Sequence, residues 1–192
     1  MGIYSQPAEY HFSQDSVELV SWALKVLPLP ENMTLKVLDA GAGCGILGKE
    51  WLLKRVNDHV CFVEKQDIFK SHLEKNLNHF SNEQRRIIID DLINLPSTLM
   101  YDYVISNPPY FLIEEGRLPS CNTKKECRHI SRDELDQFFA SIHRHLKGSG
   151  ILFFCFRHVE LLYNVKEGWK ELYKSSFNNY HFYCWQKNVE AI

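Results

Sequence analysis

Residues 37–48 read VLDAGAGCGILG, an apolar run that passes through an aspartate into a glycine-rich loop and then into a helical pattern. Glycine lacks a Cβ, so it allows positive φ angles and the close approach of a ligand to the backbone. A loop of this kind between a strand and a helix lies at the carboxyl end of a parallel sheet, where ligands bind in open α/β folds. The stretch therefore predicts a fold class and the position of a binding site.

Apolar runs and helical patterns alternate along the rest of the chain. Short runs typical of buried strands occur at residues 35–38, 60–63, 86–89, 103–105 and 151–156. Helical patterns lie between them at residues 45–56, 67–80 and 131–145, and the sequence after 157 predicts one helix and a final strand near 180–185. Strands that are apolar throughout, separated by helices, predict an α/β fold with a mostly parallel central sheet and helices on both faces.

The length and the net charge of the chain limit the classes of function that it can have. The chain has 192 residues, 45% hydrophobic and 24% charged, which fits one domain of roughly 100–200 residues. We expect a single domain over 1–192, with an N-terminal helical segment (1–34) and a core (35–192). A formal net charge of −2 gives no overall basic field, so any binding of nucleic acid must use a local patch. The N-terminus lacks a secretory pattern and no apolar run reaches the ~18 residues of a membrane span, so we expect a cytoplasmic protein without membrane contacts.

The six cysteines are scattered, and Cys61 and Cys155 lie inside apolar runs. This distribution favours reduced thiols over a disulfide framework. Cys121, Cys127 and His129 are close in sequence, but no C-x-x-C pair and no fourth ligand accompany them. We therefore predict no metal site.

Two ligands compete for the glycine loop. Gly43, Gly45 and Gly48 match the dinucleotide fingerprint, and Glu64 follows about 20 residues on, as a ribose-binding acid does. Asp39 at the end of the first strand would repel a pyrophosphate, whereas it would attract the cationic sulfonium amino acid of S-adenosylmethionine. The loop therefore suits S-adenosylmethionine better than NAD.

The sequence D-A-G-A-G-C-G resembles the first motif of class I S-adenosylmethionine-dependent methyltransferases, which have a Rossmann-like fold. The resemblance implies that Glu64 holds the ribose hydroxyls and that Asp91 meets the adenine amino group of the cofactor, with adjacent Asp90 as the alternative. It further implies a cofactor loop made of Asp39, Gly41, Ala42, Gly43 and Gly45.

A second motif, Asn107-Pro108-Pro109-Tyr110, follows the fourth predicted strand and resembles the [D/N/S]-P-P-[Y/F] motif of methyltransferases that act on nitrogen attached to a planar system. Such nitrogens are poor nucleophiles because their lone pair is delocalised. The Asn107 side-chain oxygen and the Pro108 carbonyl can accept hydrogen bonds from the reacting N–H groups. The prolines fix the backbone, and Tyr110 offers a face for stacking. We therefore assign catalytic roles to Asn107, Pro108 and Tyr110, and expect Asn107 also to contact the cofactor.

Residues 6–17, QPAEYHFSQDSV, resemble the segment before the core in the bacterial tRNA adenine-N6 methyltransferase family. That family folds the segment over its cofactor, which implies cofactor contacts for Phe12, Asp15 and Ser16. The resemblance covers residues 6–156 and implies transfer to the N6 of an adenine in tRNA or other RNA. The remaining substrate-binding candidates are Pro109, Tyr110, Phe111, Lys124, Lys125 and Arg128, the last three in a basic patch that also contains His129 and Arg132.

The substrate alternatives share the proline motif. They are the side-chain amide of glutamine in release factors and the N2 of guanine in ribosomal RNA. For a glutamine substrate we expect an additional N-terminal domain, and only about 35 residues precede the first strand, which favours RNA without excluding a protein substrate. The chain departs from the tRNA family in reading Cys127-Arg128-His129-Ile130 where A-R-H-E is common. We also expect it to lack one of the last two strands. A binding module without turnover is the third class.

Overall fold

The computed structural model describes residues 4–8, 14–27, 29, 32–113, 119–177 and 179–188. The strands are β1 (Lys36–Ala40), β2 (His59–Glu64), β3 (Arg85–Ile89), β4 (Tyr101–Ser106), β5 (Phe111–Leu112), β6 (His129–Ile130), β7 (Leu146–Phe156), β8 (Trp169–Ser176) and β9 (His181–Lys187). The α-helices are α1 (Gln14–Val26), α2 (Ile46–Lys54), α3 (Lys70–Leu77), α4 (Asn122–Arg128) and α5 (Arg132–His145). Short 3-10 turns occupy Asp67–Phe69, Leu92–Asn94, Val159–Leu162 and Asn164–Lys166.

Seven strands form one sheet in the order β3-β2-β1-β4-β7-β9-β8. β3, β2, β1, β4 and β7 pair in parallel, and β9 pairs antiparallel with both β7 and β8. The chain moves outward from β1 to β3 and then returns to β4 on the other side of β1. This reversal is the switch point at which open α/β sheets bind ligands.

Apolar side chains cover both faces of the sheet. One core cluster joins α1, α2 and α3 to one face, with Leu19, Trp51 and Leu73 all fully buried. The other joins α5 to the opposite face through Leu135 and Phe139. A capping box starts α5, because the Ser131 hydroxyl accepts from the Glu134 N–H while the Glu134 carboxylate accepts from the Ser131 N–H. The predicted α/β class with helices on both faces is confirmed.

The sequence predictions differ from the structure mainly near the C-terminus. The expectation of one helix and one strand after 157 is wrong, since two 3-10 turns and two strands, β8 and β9, are present. The expectation that one of the last two strands is lacking is wrong for the same reason. β8 is an edge strand with mostly exposed side chains, so its sequence carries little apolar alternation. The predicted helix at 67–80 is a 3-10 turn followed by the shorter α3.

No helix in the described ranges is long and apolar enough to cross a membrane. The same residues contain no group of three or more histidine, cysteine or acidic side chains arranged to hold a metal ion.

Candidate active site

One pocket lies at the carboxyl ends of β1 to β4, the predicted position. The space within it, open mouth included, is about 1020 Å³. Six of the predicted site residues line it together: Gly41, Gly43, Glu64, Asp91, Asn107 and Pro109. Residues far apart in sequence therefore meet at the switch point of the sheet.

The glycine loop adopts a conformation that favours glycine. Gly41, Gly43 and Gly45 have φ angles of 70°, 54° and 81°. The N–H groups of Gly41 and Ala42 both donate to the Val63 carbonyl, at 3.0 and 2.9 Å. A Cβ added at Gly41 or Gly43 would have nothing described within 4 Å, so the loop leaves open space against its backbone. These two glycines form a cradle that a ligand can approach closely.

Gly45 and Gly48 serve packing instead. A Cβ at Gly45 would lie 2.8 Å from Leu73 Cδ2, and one at Gly48 would lie 2.3 Å from the Phe62 ring. The third glycine of the fingerprint therefore lets α2 pack closely on β2, the role it has in dinucleotide folds. The formal fingerprint match reflects helix–sheet packing as much as ligand binding.

Asp39 is fully buried at the end of β1. Its Oδ2 accepts from the Gly48 N–H at 2.8 Å, whereas its Oδ1 has no hydrogen-bond partner in the described part of the chain. Burial, with a smaller contribution from the charge of Glu64, raises the pKa of Asp39 to about 8. The carboxyl is therefore mostly neutral at pH 7 until a cation approaches it, which refines our expectation of a fixed negative charge at this position.

Glu64 braces the loop from the end of β2. Its Oε2 accepts from the Gly43 N–H and its Oε1 from the Gln66 N–H, both at 2.8 Å. Burial raises the pKa of this carboxyl as well, and the two N–H groups oppose that effect. Each oxygen keeps a further lone pair, so the side chain can accept from hydroxyl groups while it holds the loop.

Asp90 and Asp91 both line the pocket, and local hydrogen bonds hold both. Asp90 Oδ1 accepts from the Asp91 N–H at 2.7 Å and from Asn94 Nδ2 at 2.8 Å. Asp91 Oδ1 accepts from the Ile93 N–H at 3.1 Å and caps the 3-10 turn. Either carboxylate keeps capacity to accept from an amino group.

Asn107 is held from the side of α1. Its amide nitrogen lies 3.1 Å from Ser16 Oγ and 3.4 Å from Asp15 Oδ1. Its amide oxygen is buried and accepts no hydrogen bond from any described residue. Asp15 and Ser16 were predicted as cofactor contacts, and in the structure both accept hydrogen bonds from the amide nitrogen of Asn107. Phe12, the third predicted contact of that segment, lies outside the described residues.

Beyond the buried Pro108, aromatic rings and a cation cluster together. The Arg157 guanidinium lies 4.7 Å from the centroid of the Tyr110 ring and 5.9 Å from that of Phe111. Phe111 also contacts the rings of His129 and His158, at centroid distances of 5.6 and 5.9 Å. Sequence reasoning missed Arg157, which follows β7. It covers one face of Tyr110, so the predicted stacking platform includes a cation.

The polar stretch after the proline motif contains α4, which packs beside the pocket. Glu126 and Cys127 of this helix line it, and Gln66 Nε2 donates to Cys127 Sγ at 3.4 Å. Lys124 and Lys125 are half-buried on α4, and Arg128 at its end is exposed. Arg132 of the predicted basic patch instead donates to the Leu161 carbonyl at 3.1 Å.

Asn76 is a further residue that sequence reasoning missed. Its amide oxygen accepts from the Ser5 N–H at 2.7 Å, and its Nδ2 donates to the carbonyls of Ser5 and Cys44, both at 2.8 Å. One buried amide thus ties the N-terminal segment to the glycine loop. An apolar helix pattern gives no signal for such a residue, because its partners come from distant parts of the chain.

Known proteins with sequences similar to this chain are methyltransferases. Residues 3–184 match the methyltransferase small domain family. A tRNA1(Val) (adenine(37)-N6)-methyltransferase of Shewanella sp. (strain W3-18-1) is 27% identical over 144 residues, 72% of this chain and 57% of the relative. A release factor glutamine methyltransferase of Salmonella typhimurium is 25% identical over 126 residues, 66% of this chain and 44% of the relative. The chain thus spans only about half the length of these two relatives.

Solved structures share the fold. TrmN from Thermus thermophilus superposes with a TM-score of 0.68 at 14% identity, over 89% of this chain and 48% of that one. Magnesium protoporphyrin IX methyltransferase from Synechocystis, solved with S-adenosylmethionine, gives a TM-score of 0.61 at 16% identity, over 91% of this chain and 79% of that one. The fold is therefore the Rossmann-like fold of class I methyltransferases. With the family match over residues 3–184, the chain belongs to the methyltransferase small domain family.

Proposed function

We propose that the protein is an S-adenosylmethionine-dependent methyltransferase that acts on the exocyclic N6 of an adenine in tRNA or another RNA. The observation that carries the proposal is the carboxamide of Asn107. Its nitrogen is engaged by Asp15 and Ser16 while its buried oxygen accepts no bond from the described residues. A buried acceptor without a partner is costly, and a donor on a ligand would satisfy it.

The residues of the pocket fit S-adenosylmethionine. Gly41 and Gly43 leave their backbone open to a ligand, and one buried oxygen of Asp39 accepts no hydrogen bond from any residue in the described ranges. A cation beside Asp39 would favour its ionised form and lower its raised pKa. Glu64 would accept from the ribose hydroxyls, and Asp90 or Asp91 from the adenine amino group. When bound, the cofactor supplies an electrophilic methyl group on its sulfonium.

The protein contributes positioning and hydrogen-bond acceptors to the transfer. Asn107 Oδ1 and the Pro108 carbonyl would each accept one N–H of the substrate amine, which draws its lone pair out of conjugation with the ring. Asp15 and Ser16 hold the amide so that its oxygen remains the free end. Preorganised dipoles of this kind act without reorganisation during the reaction, and correct alignment supplies much of the acceleration.

An RNA substrate is supported by the sequence relatives and by the basic residues near the site. The first relative given above modifies adenine in a tRNA. An adenine in a folded RNA must leave its stack to reach a pocket of this kind, and Tyr110, Phe111 and Pro109 would receive it. Lys124, Lys125 and Arg128 would then contact the backbone of the same strand. Such an enzyme would work in the cytoplasm.

We also propose that residues 1–34 form the segment that covers the cofactor and that 35–192 form the core of the same domain. Two contacts support this arrangement. Asn76 joins Ser5 to the Cys44 carbonyl in the glycine loop, and the start of α1 holds Asn107. The N-terminal segment would therefore help to shape both halves of the site.

Glutamine in a protein is the second candidate substrate. The similarity to the release factor glutamine methyltransferase favours it, and a primary amide presents the same two N–H groups to Asn107 and Pro108. The acceptor pair alone therefore does not distinguish a base from a side-chain amide.

A labelled-methyl experiment tests the proposal. The protein is incubated with methyl-labelled S-adenosylmethionine and an extract that contains unmodified tRNA, and samples are then digested with RNase or protease. We expect the label in N6-methyladenosine, identified by mass spectrometry after RNase treatment. Label that survives RNase and appears on glutamine would overturn the RNA substrate and keep the chemistry. The Asn107→Ala variant is the control for transfer by the site described.

A further inference from the structure

Arg157 reaches the proline motif because of strand register. β4 and β7 pair in parallel, with Ser106 opposite Phe154. The residues that follow these two strands therefore emerge side by side at the same edge of the sheet. Tyr110 comes after the first strand and Arg157 after the second, and the guanidinium lies 4.7 Å from the ring centroid.

The contacts of Arg157 are aromatic rather than ionic. Its guanidinium faces the rings of Tyr110 and Phe111. Within the described parts of the chain it forms no salt bridge and donates no hydrogen bond, and its buried Nε has no acceptor. The Nη N–H groups donate to no described residue, and the planar fork that they form matches the oxygens of a phosphate.

Charged groups of both signs lie around Arg157. His158 pairs with Glu160 at 3.1 Å, so that carboxylate faces a histidine. Asp15 is within electrostatic range of Tyr110, and Asn107 donates to its carboxylate. The guanidinium of Arg128 is also within electrostatic range of Tyr110. Because Arg157 has no ion pair among the described residues, its guanidinium would favour an anionic group on the substrate over the neutral amide of glutamine.

We propose that Arg157 binds a phosphate of the substrate strand next to the target nucleotide and thereby makes the site selective for nucleic acid. This inference deepens the proposed function and rests on it. The guanidinium would hold the strand while the target base lies between the Tyr110 region and the acceptors of Asn107 and Pro108. Arg157 is thus a specificity residue that touches the backbone of the substrate, not the reacting atoms.

The test is the salt dependence of RNA binding. A short hairpin RNA with adenosines in its loop is titrated by fluorescence anisotropy at several salt concentrations with the full chain and three variants. Arg157→Gln removes the charge and keeps a planar side chain. Arg157→Lys keeps the charge and loses the fork. Arg86→Gln is the matched control, because Arg86 is exposed on β3, four strands away from β7.

We expect Arg157→Gln to make the slope of log K against log [salt] less negative by about 0.7, the value for one phosphate contact on a single strand. Arg157→Lys should retain the slope, and Arg86→Gln should match the unmodified protein. Cofactor affinity by calorimetry should be unchanged in all variants, which verifies that the fold and the cofactor pocket are intact. Methyl transfer to the hairpin should fall most in Arg157→Gln.

Four outcomes separate this inference from the proposed function. A slope unchanged in Arg157→Gln overturns the phosphate contact, even if transfer falls, and assigns Arg157 to the support of Tyr110 or to base stacking. A changed slope in a protein that methylates no adenine keeps the contact and overturns the proposed function. Methylation of adenine with an unchanged slope overturns the phosphate contact and keeps the proposed function. No binding of RNA, with methylation of a glutamine peptide, overturns both.

Discussion

Asn107 has a carboxamide whose two ends have different partners. The nitrogen donates to Asp15 and Ser16, whereas the oxygen accepts no hydrogen bond from the residues that the structure describes. We predict that Asn107→Ala lowers methyl transfer by about 10²–10³-fold, the usual effect of removing one preorganised polar group at a reacting centre. Cofactor affinity, measured by calorimetry, should change little, because the cofactor keeps the glycine loop and Glu64.

The control for this prediction is Asn57→Ala, a change at an exposed asparagine after α2. It should leave both transfer and cofactor binding unaltered. If Asn107→Ala weakens cofactor binding as much as Asp39→Ala does, Asn107 belongs to the cofactor site and the division of roles is wrong.

The raised pKa of Asp39 predicts that the stability of the protein depends on pH. This pKa is raised by burial to about 8, against an ordinary value near 4. The folded state therefore binds a proton that the unfolded state releases between these values, so this group stabilises the protein below pH ~4 and the contribution is lost as pH rises through 8. We expect urea unfolding to show lower stability at pH 8 than at pH 5.

The Asp39→Asn variant isolates that contribution. Asparagine can still accept from the Gly48 N–H but does not titrate, so the difference in unfolding free energy between pH 5 and pH 8 should shrink. Glu64, whose pKa burial also raises, should account for part of the remainder in Glu64→Gln. An identical pH profile in Asp39→Asn and the unmodified protein would show that Asp39 is ionised throughout this range.

At the scale of elements, the glycines of the loop and of α2 have two different roles. Gly43 leaves space for a ligand, whereas Gly48 allows α2 to pack closely on the sheet. A Cβ at Gly48 would lie 2.3 Å from the Phe62 ring and 2.8 Å from Val60 Cγ1. We predict that Gly48→Ala destabilises the protein by about 1–3 kcal/mol through overpacking between α2 and β2, measured by urea unfolding. Its cofactor affinity should stay near normal at temperatures where it is folded.

Gly43→Ala is the matched change at the other end of the same motif. The new Cβ meets nothing described within 4 Å, so the cost to folding is limited to the strain of a positive φ, roughly 1–2 kcal/mol. Because the methyl group projects into the cradle, we expect a much larger loss of cofactor affinity than in Gly48→Ala. Equal losses in the two variants would mean that the loop acts through stability alone.

The elements that sequence predicted well are those whose environment is uniform. β1, β2, β3 and β4 were predicted to within two residues at each end, because each contains an apolar run, in the edge strand β3 as in the three central strands. β8 was missed because an edge strand with exposed Lys170, Glu171 and Lys174 has no such pattern, and its pairing with β9 determines its conformation. Arg157 was missed for a related reason, since only the register of β4 and β7 brings it to Tyr110.

At the scale of the whole molecule, α1 connects the beginning of the chain to its end. Trp22 Nε1 donates to Ser175 Oγ at 2.8 Å, and the Tyr180 hydroxyl donates to Glu18 Oε2 at 2.7 Å. The first turn of the same helix holds Asn107. The packing of α1 against the sheet is thus coupled to the orientation of the amide in the site.

Leu19→Ala tests this coupling. Leu19 is fully buried in the core cluster of α1, so we predict a loss of about 2–5 kcal/mol in unfolding free energy and a Tm lower by roughly 2–4 °C per kcal/mol. Lys25→Ala, at an exposed position of the same helix, should change stability by less than ~0.5 kcal/mol. At a temperature where Leu19→Ala is still folded, a looser α1 should lower methyl transfer more than cofactor affinity, since Ser16 and Asp15 would hold Asn107 less firmly. Normal transfer in the folded Leu19→Ala protein would show instead that the proline motif orients Asn107 by itself.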